Sequence, residues 1–183
     1  MSERPPLTFR AIEAAESFLR RRLSPGALRL AYRLGYLVLR PWWFVTRPRT
    51  TGVKAVVRHG QDVLLVRHTY ARRDLWDLPG GFVHPGEDPE KALLRELAEE
   101  VGVRPTATSV ISRGPWNGDH KRETLHAYAV EASGHEVVTS DAEIGEARWF
   151  PRDALPRPMT RLARRMVARA YWELWEDEAE RPE

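Results

Sequence analysis

GFVHPGEDPEKALLRELAEEVGV, residues 81–103, places Glu96, Glu99 and Glu100 within five residues of one another. Asp88-Pro89 opens a helix there, with Asp as the cap and Pro in the first turn, and Gly102 stops it. On such a helix, carboxylates at i, i+3 and i+4 are neighbours, and each pair costs a few tenths of a kcal/mol. With Glu96 at zero on a wheel of about 100° per residue, Glu99 falls near −60° and Glu100 near +40°, while Leu93, Leu97, Val101 and Leu94 span about +60° to +160°. The leucines therefore seat the helix and the acids share its neighbouring edge. Arg95, four residues before Glu99, can orient that carboxylate by a charged hydrogen bond.

Taken alone, such a helix reads equally as a solvated acidic face. The preceding loop favours a second reading. Glu87 lies where the chain can fold back on the acidic edge, and Gly80, Gly81 and Gly86 free the backbone to approach a bulky ligand. The chain has no cysteine, so thiolate sites, disulfides and Cys nucleophiles are excluded. Clustered carboxylates without convergent histidine suit a hard divalent cation, Mg2+ or Mn2+. Such an ion implies a phosphate ester or anhydride as substrate, with a spare carboxylate as general base. Hydrolysis follows rather than phosphoryl transfer, because no Walker-type or kinase-type motif is present.

Working outward, VKAVV, a turn at HGQD and VLLVRH form a strand hairpin from Gly52 onward, and WDLPGGFV continues as strand and glycine-rich turn. TATSVIS, ETLHAYAVEA and EARWF are further strands. A terminal helix repeats Leu162, Met166, Ala170 and Leu174 at i+4, and its acidic end WEDEAERPE should fray. Helices and strands without regular βαβ spacing indicate an α/β (α+β) domain with a mixed sheet and helices packed on it.

Residues 1–50 form a basic helical extension ahead of a domain at 51–183. They hold ten Arg and three Glu, a net +7, against −4 for the remainder. Thr8 caps a first helix carrying Phe9, Ile12, Phe18, Leu19 and Leu23; Ser24-Pro25 starts a second, GALRLAYRLGYLVLRPWWFV, with Pro41 and RPRTTG as a linker behind it. Arg29, Arg33 and Arg40 interrupt the second helix too often for a membrane span. Its apolar stripe is expected to pack on the body or in a homodimer, in preference to a membrane surface or RNA. The N-terminal residues lack the apolar run of a secretory signal, which points to the cytoplasm.

The stretch resembles the Nudix box, G-x5-E-x7-R-E-U-x-E-E-x-G-U with U aliphatic. Gly81, Glu87, Arg95, Glu96, Leu97, Glu99, Glu100, Gly102 and Val103 fill every fixed position. Family-like context extends over roughly residues 52 to 156. The resemblance implies the Nudix fold, a mixed sheet sandwiched between helices, and cleavage of a nucleoside diphosphate linked to another moiety X. It also implies that Glu96, Glu99 and Glu100 hold the metal, one of them acting on the attacking water, while Arg95 and Glu87 brace the loop. Many family members use a further loop acid as base or ligand; Glu143 is the candidate here, with Glu146 second. Arg67, Arg72, Gly80 and Gly81 are the expected substrate contacts, with Trp116, Asn117, His120, Lys121 and Arg122 crowding another loop. An RNA 5′ pyrophosphohydrolase and a nucleotide sensor that does not cleave remain as alternatives.

Overall fold

The central strand β1 (Arg49–His59) buries Val53, Ala55 and Val57 on one face and Val56 on the other, the two-residue period of a pleated strand covered on both sides. The computed structural model describes residues 22–70, 74–116, 122–139 and 143–175. β2 (Asp62–His68), β3 (Pro105–Trp116), β4 (Arg122–Ala132) and β5 (Ile144–Pro151) complete a sheet of order β3-β4-β1-β2-β5. β1 pairs parallel with β4 and antiparallel with β2; the outer pairs are antiparallel. The sheet is therefore mixed, as expected.

Two apolar layers hold the helices. Preceding the sheet is α1 (Pro25–Thr46), and between β2 and β3 lies α2 (Pro89–Glu100), the helix of the quoted stretch. α2 packs Ala92, Leu93 and Leu97 on Val53, Leu64, Val66 and Val130. On the opposite face α3 (Arg161–Ala170) and the π-helical turn Tyr171–Trp175 pack Leu162, Met166, Val167 and Trp175 on Val56, Leu65 and Ala127. The sheet is thus sandwiched between helices. Leu94, placed by its wheel angle at the end of the apolar stripe, is 40% exposed instead, because it lies just past the edge that meets the sheet.

The segment Trp76–Val83 decides where the site sits. β2 meets β1 only over Val57–His59, and beyond that the two strands part. The segment fills the gap: Asp77 exchanges two hydrogen bonds of 2.9 Å with Val66 of β2, while Pro79 and Gly81 accept from Ala55 (3.0 Å) and Val53 (2.9 Å) of β1. Val83 donates to Thr51 at 2.9 Å. The glycine-rich turn is stitched into the sheet on both edges.

α1 runs through Pro41 to Thr46, and β1 begins at Arg49, so RPRTTG is no separate linker. Pro41 is tolerated because it is exposed and water can serve the Leu37 carbonyl it leaves unbonded; Thr46 Oγ1 caps the Trp42 carbonyl at 2.8 Å. The helix docks through one face only: Leu28 is buried, Tyr32 and Tyr36 meet Tyr70 with ring centroids 5.9 Å apart, and Arg33 Nε donates to the Thr69 carbonyl at 3.2 Å. The expected packing on the body holds for that face alone. The first helix expected from Thr8 and the acidic tail lie outside the described residues. Among the described helices, none is long and apolar enough to cross a membrane.

Candidate active site

Asp88 builds the start of α2, its carboxylate accepting from Glu90 N (3.0 Å) and Lys91 N (3.2 Å), with Pro89 next. The cap sets the register in which Glu96 and Glu100 point back at the spliced segment. Glu100 is 3% exposed, since its wheel position adjoins the leucine stripe, and its Oε2 accepts from Gly80 N at 2.8 Å. Gly80 must be glycine: its φ is +127°, and a Cβ would overlap the Val53 carbonyl oxygen. Gly81 lies beneath Glu96, whose carboxylate atoms would stand 2.6–2.7 Å from a Cβ there. Both expected glycine contacts thus meet the acids directly.

Arg95 ties the loop to the helix. Its Nε and Nη2 bind the two Glu87 oxygens at 3.0 Å each, Nη2 also reaches the Phe82 carbonyl at 3.0 Å, and Nη1 donates to Glu96 at 2.8 Å. Glu99 lies 3.5 Å from the same guanidinium and is more than half exposed. Glu87 in turn accepts from His84 N at 2.9 Å. The bracing expected of Arg95 and Glu87 is present, and its main beneficiaries are Glu87 and Glu96 rather than Glu99. The Arg95 hydrogen bonds hold the Glu87 carboxyl below its usual range despite partial burial.

The remaining acids are under-neutralised. Burial pushes Glu100 up to about 8, a rise that Lys54 and the Gly80 N–H oppose and Glu96 and Glu143 reinforce. Burial also raises Glu96, against the pull of Arg95. Lys54 would be depressed by its own burial, yet Asp77, Glu100 and Glu123 hold its ammonium above the usual value; Nζ donates to the Leu78 carbonyl at 2.7 Å and lies 3.5 Å from Asp77. Asp77, fixed by Thr160 Oγ1 at 2.6 Å, is held low against its burial chiefly by Lys54. Lys54 is therefore shared among several carboxylates and falls short of offsetting the burial of Glu100.

Among the described residues, no three His, Asp or Glu side chains converge closely enough to cage an ion unaided. The donor set still fits Mg2+ or Mn2+: hard carboxylate oxygens from a buried Glu100, a half-buried Glu96 and an exposed Glu99. Such ions keep waters and substrate phosphate oxygens in their shell instead of requiring a closed protein cage.

The other sequence candidates divide. The Glu143 carbonyl accepts from Thr69 N at 2.8 Å, and its charge acts on both Glu100 and Tyr70, so it lies in the field of the site. Glu146 is engaged elsewhere, with Arg67 at 3.3 Å and Arg148 at 2.6 Å. Arg67 stacks over Trp76, its guanidinium carbon 4.3 Å from the ring, in the layer covered by α3; alternation along β2 turns it away from α2. Arg67 is thus not among the residues brought to the acids. Arg72, Asn117, His120 and Lys121 lie outside the described residues. His68 is desolvated, with burial and then Lys54 pushing it down to about 4.

Sequence reasoning missed Lys54 and Tyr70. A lone Lys inside the apolar run VKAVV was the available signal for the first; Tyr70 had none, since its burial comes from α1. It also missed a recess of ≈ 570 Å3 lined by Arg49, Thr50, Thr51, Pro115, Arg122, Glu123 and Thr124. Thr50 Oγ1 there is buried without a hydrogen-bond partner. The recess abuts the site, because Glu123 lies against Gly52, whose Cβ position is 3.5 Å from the Gly81 carbonyl oxygen.

The NUDIX domain model matches residues 47–170. The NAD-capped RNA hydrolase NudC of Pectobacterium carotovorum is 32% identical over 125 residues, covering 64% of this chain and 47% of that protein. NudC of Escherichia coli is 31% identical over 113 residues, covering 61% and 43%. The chain spans about half the length of the curated relatives it matches. Among solved structures, a MutT NUDIX hydrolase from Burkholderia pseudomallei aligns with TM-score 0.60 and 25% identity over 66% of this chain and 97% of that one. The NUDIX domain of Shewanella oneidensis NrtR complexed with ADP ribose aligns with TM-score 0.61 and 24% identity over 71% and 91%.

Proposed function

The chain belongs to the Nudix family, and from that premise we propose that it is a metal-dependent pyrophosphohydrolase acting on a nucleoside diphosphate linked to a second moiety X. The observation that carries this reading is the pair of Glu100, buried and raised in pKa, and Glu96, half-buried and raised despite Arg95, set over a glycine backbone. Mg2+ or Mn2+ held by Glu96, Glu99 and Glu100 would neutralise the diphosphate and acidify water. The chain supplies the rest. Arg95 fixes Glu96 and the Gly81–Glu87 loop, the Gly80 N–H orients Glu100, and the proton of the attacking water is assigned to Glu143, an assignment supported by the action of its charge on Glu100. Water adds to one phosphorus, the bridging oxygen departs with the other, and a nucleoside monophosphate and phosphorylated X result. The recess lined by Arg49, Arg122 and Glu123 suits a polar, phosphate-bearing X.

A second reading, removal of a 5′ cap or pyrophosphate from RNA, is supported by the printed activity of the NudC relatives and by the basic first fifty residues. The same experiment decides between them and tests a sensor that does not cleave. Nucleoside triphosphates, ADP-ribose, NAD, nucleotide sugars and 5′-capped or 5′-triphosphorylated RNA are each incubated with Mg2+, Mn2+ or EDTA. Turnover of a small nucleotide, abolished by EDTA, is the expected result; exclusive turnover of RNA establishes the second reading, and no turnover on any member refutes both.

A further inference from the structure

The face of α1 opposite its docking face is apolar and open. Leu30, Leu34, Leu37, Val38, Trp42 and Val45 are 54–78% exposed. With Leu34 at zero they fall within about 80° on either side, forming one stripe along a helix of roughly 33 Å. Leu28, Tyr32 and Tyr36, which hold the helix to the body, lie on the far side. Arg47 and Arg49, both exposed, follow its end. Residues 22–49 carry six arginines and no acidic residue. Monomeric proteins seldom expose an apolar strip of this length.

We propose that α1 lies on an anionic phospholipid surface, its stripe at the headgroup–acyl boundary and its arginines among lipid phosphates. Charge complementarity selects this occupant. A second copy pairing through the same stripe would oppose arginine-rich, acid-free helices, whereas an anionic bilayer offers apolar depth and negative charge together. Among the described residues outside α1, the exposed large apolar side chains Leu94, Val110, Val138 and Trp172 stand apart from one another and form no matching strip. Trp42, at the edge of the stripe, sits where indole favours the boundary. RNA would engage the arginines but leave the stripe in water.

The test is sedimentation of the full chain with vesicles of phosphatidylcholine, with and without phosphatidylglycerol. Binding to the anionic vesicles, weak on neutral ones and weakened by salt, is expected. Leu34→Asp with Val38→Asp should lower the partition by at least about tenfold, and Arg47→Gln by about fivefold, the equivalent of one surface arginine. Neither alters hydrolysis in free solution, because these residues lie outside the site; unchanged turnover also reports that the variants fold. No sedimentation with anionic vesicles, or equal sedimentation with neutral ones, overturns the proposal. So does a dimer in sizing runs that Leu34→Asp with Val38→Asp dissolves, or full vesicle binding by that variant.

Discussion

Glu100→Gln should make the metal-free protein more stable while destroying its activity. The unfolded chain ionises a glutamate near 4.5, whereas in the fold burial pushes Glu100 up to about 8. Below the lower value both states hold the proton and the residue costs nothing. Between the two, the unfolded state releases a proton that the folded state retains, so stability falls by about 1.4 kcal/mol for each pH unit until the folded pKa is passed. At pH 7 the penalty amounts to about 3 kcal/mol, and glutamine, which can accept the same hydrogen bond from Gly80, removes it. For a chain of this size the melting temperature in EDTA should rise by roughly 6–12 °C at pH 7 and by almost nothing at pH 4. Mg2+ with nucleotide should then stabilise the parent and fail to stabilise the variant to the same extent. The assay is thermal unfolding of both proteins across that pH range, with EDTA and with Mg2+ plus nucleotide. A variant that melts below its parent in EDTA at pH 7 would refute the view of Glu100 as an uncompensated buried charge.

Adjacent glycines should fail differently. Gly80→Ala forces a side chain into the β1 backbone at a positive φ and should give insoluble or unfolded protein. Gly81→Ala meets only the movable end of Glu96 and should fold with near-parental melting while losing turnover. Arg95→Lys keeps one charge but not the fork that spans Glu87, Glu96 and Phe82; steady-state kinetics should show kcat lower by about a hundredfold, the scale of a misplaced site. Glu143→Gln should cut kcat by at least about tenfold, as loss of a general base does, while Glu146→Gln should leave it within about twofold, since Glu146 is committed to Arg67 and Arg148. The reverse order would reassign the base.

The parts of the fold legible in sequence were those governed by local chemistry. Asp88-Pro89, the leucine spacing and Gly102 announce α2 because capping and periodicity act within a few residues. Alternation in VKAVV and VLLVRH likewise gives away buried strands. What stayed hidden depends on contacts across the chain. That Glu100 would receive the Gly80 N–H follows from the way Gly80 is pinned between strands, and Lys54 is near the acids only because β1 passes beneath that turn. The side of the sheet that Arg67 faces was not legible, because alternation alone leaves open which face of β2 the acidic helix covers. The run through Pro41 contradicts a local rule, since an exposed helix face lets solvent replace the lost donor.

Stitching Trp76–Val83 between β1 and β2 should make the floor beneath Glu96 and Glu100 exchange its amide hydrogens as slowly as the sheet itself. An arriving ion or diphosphate consequently meets dipoles already aligned, with no ordering cost at that side of the cleft. Substrate choice can therefore vary at the opposite rim while this floor keeps its geometry.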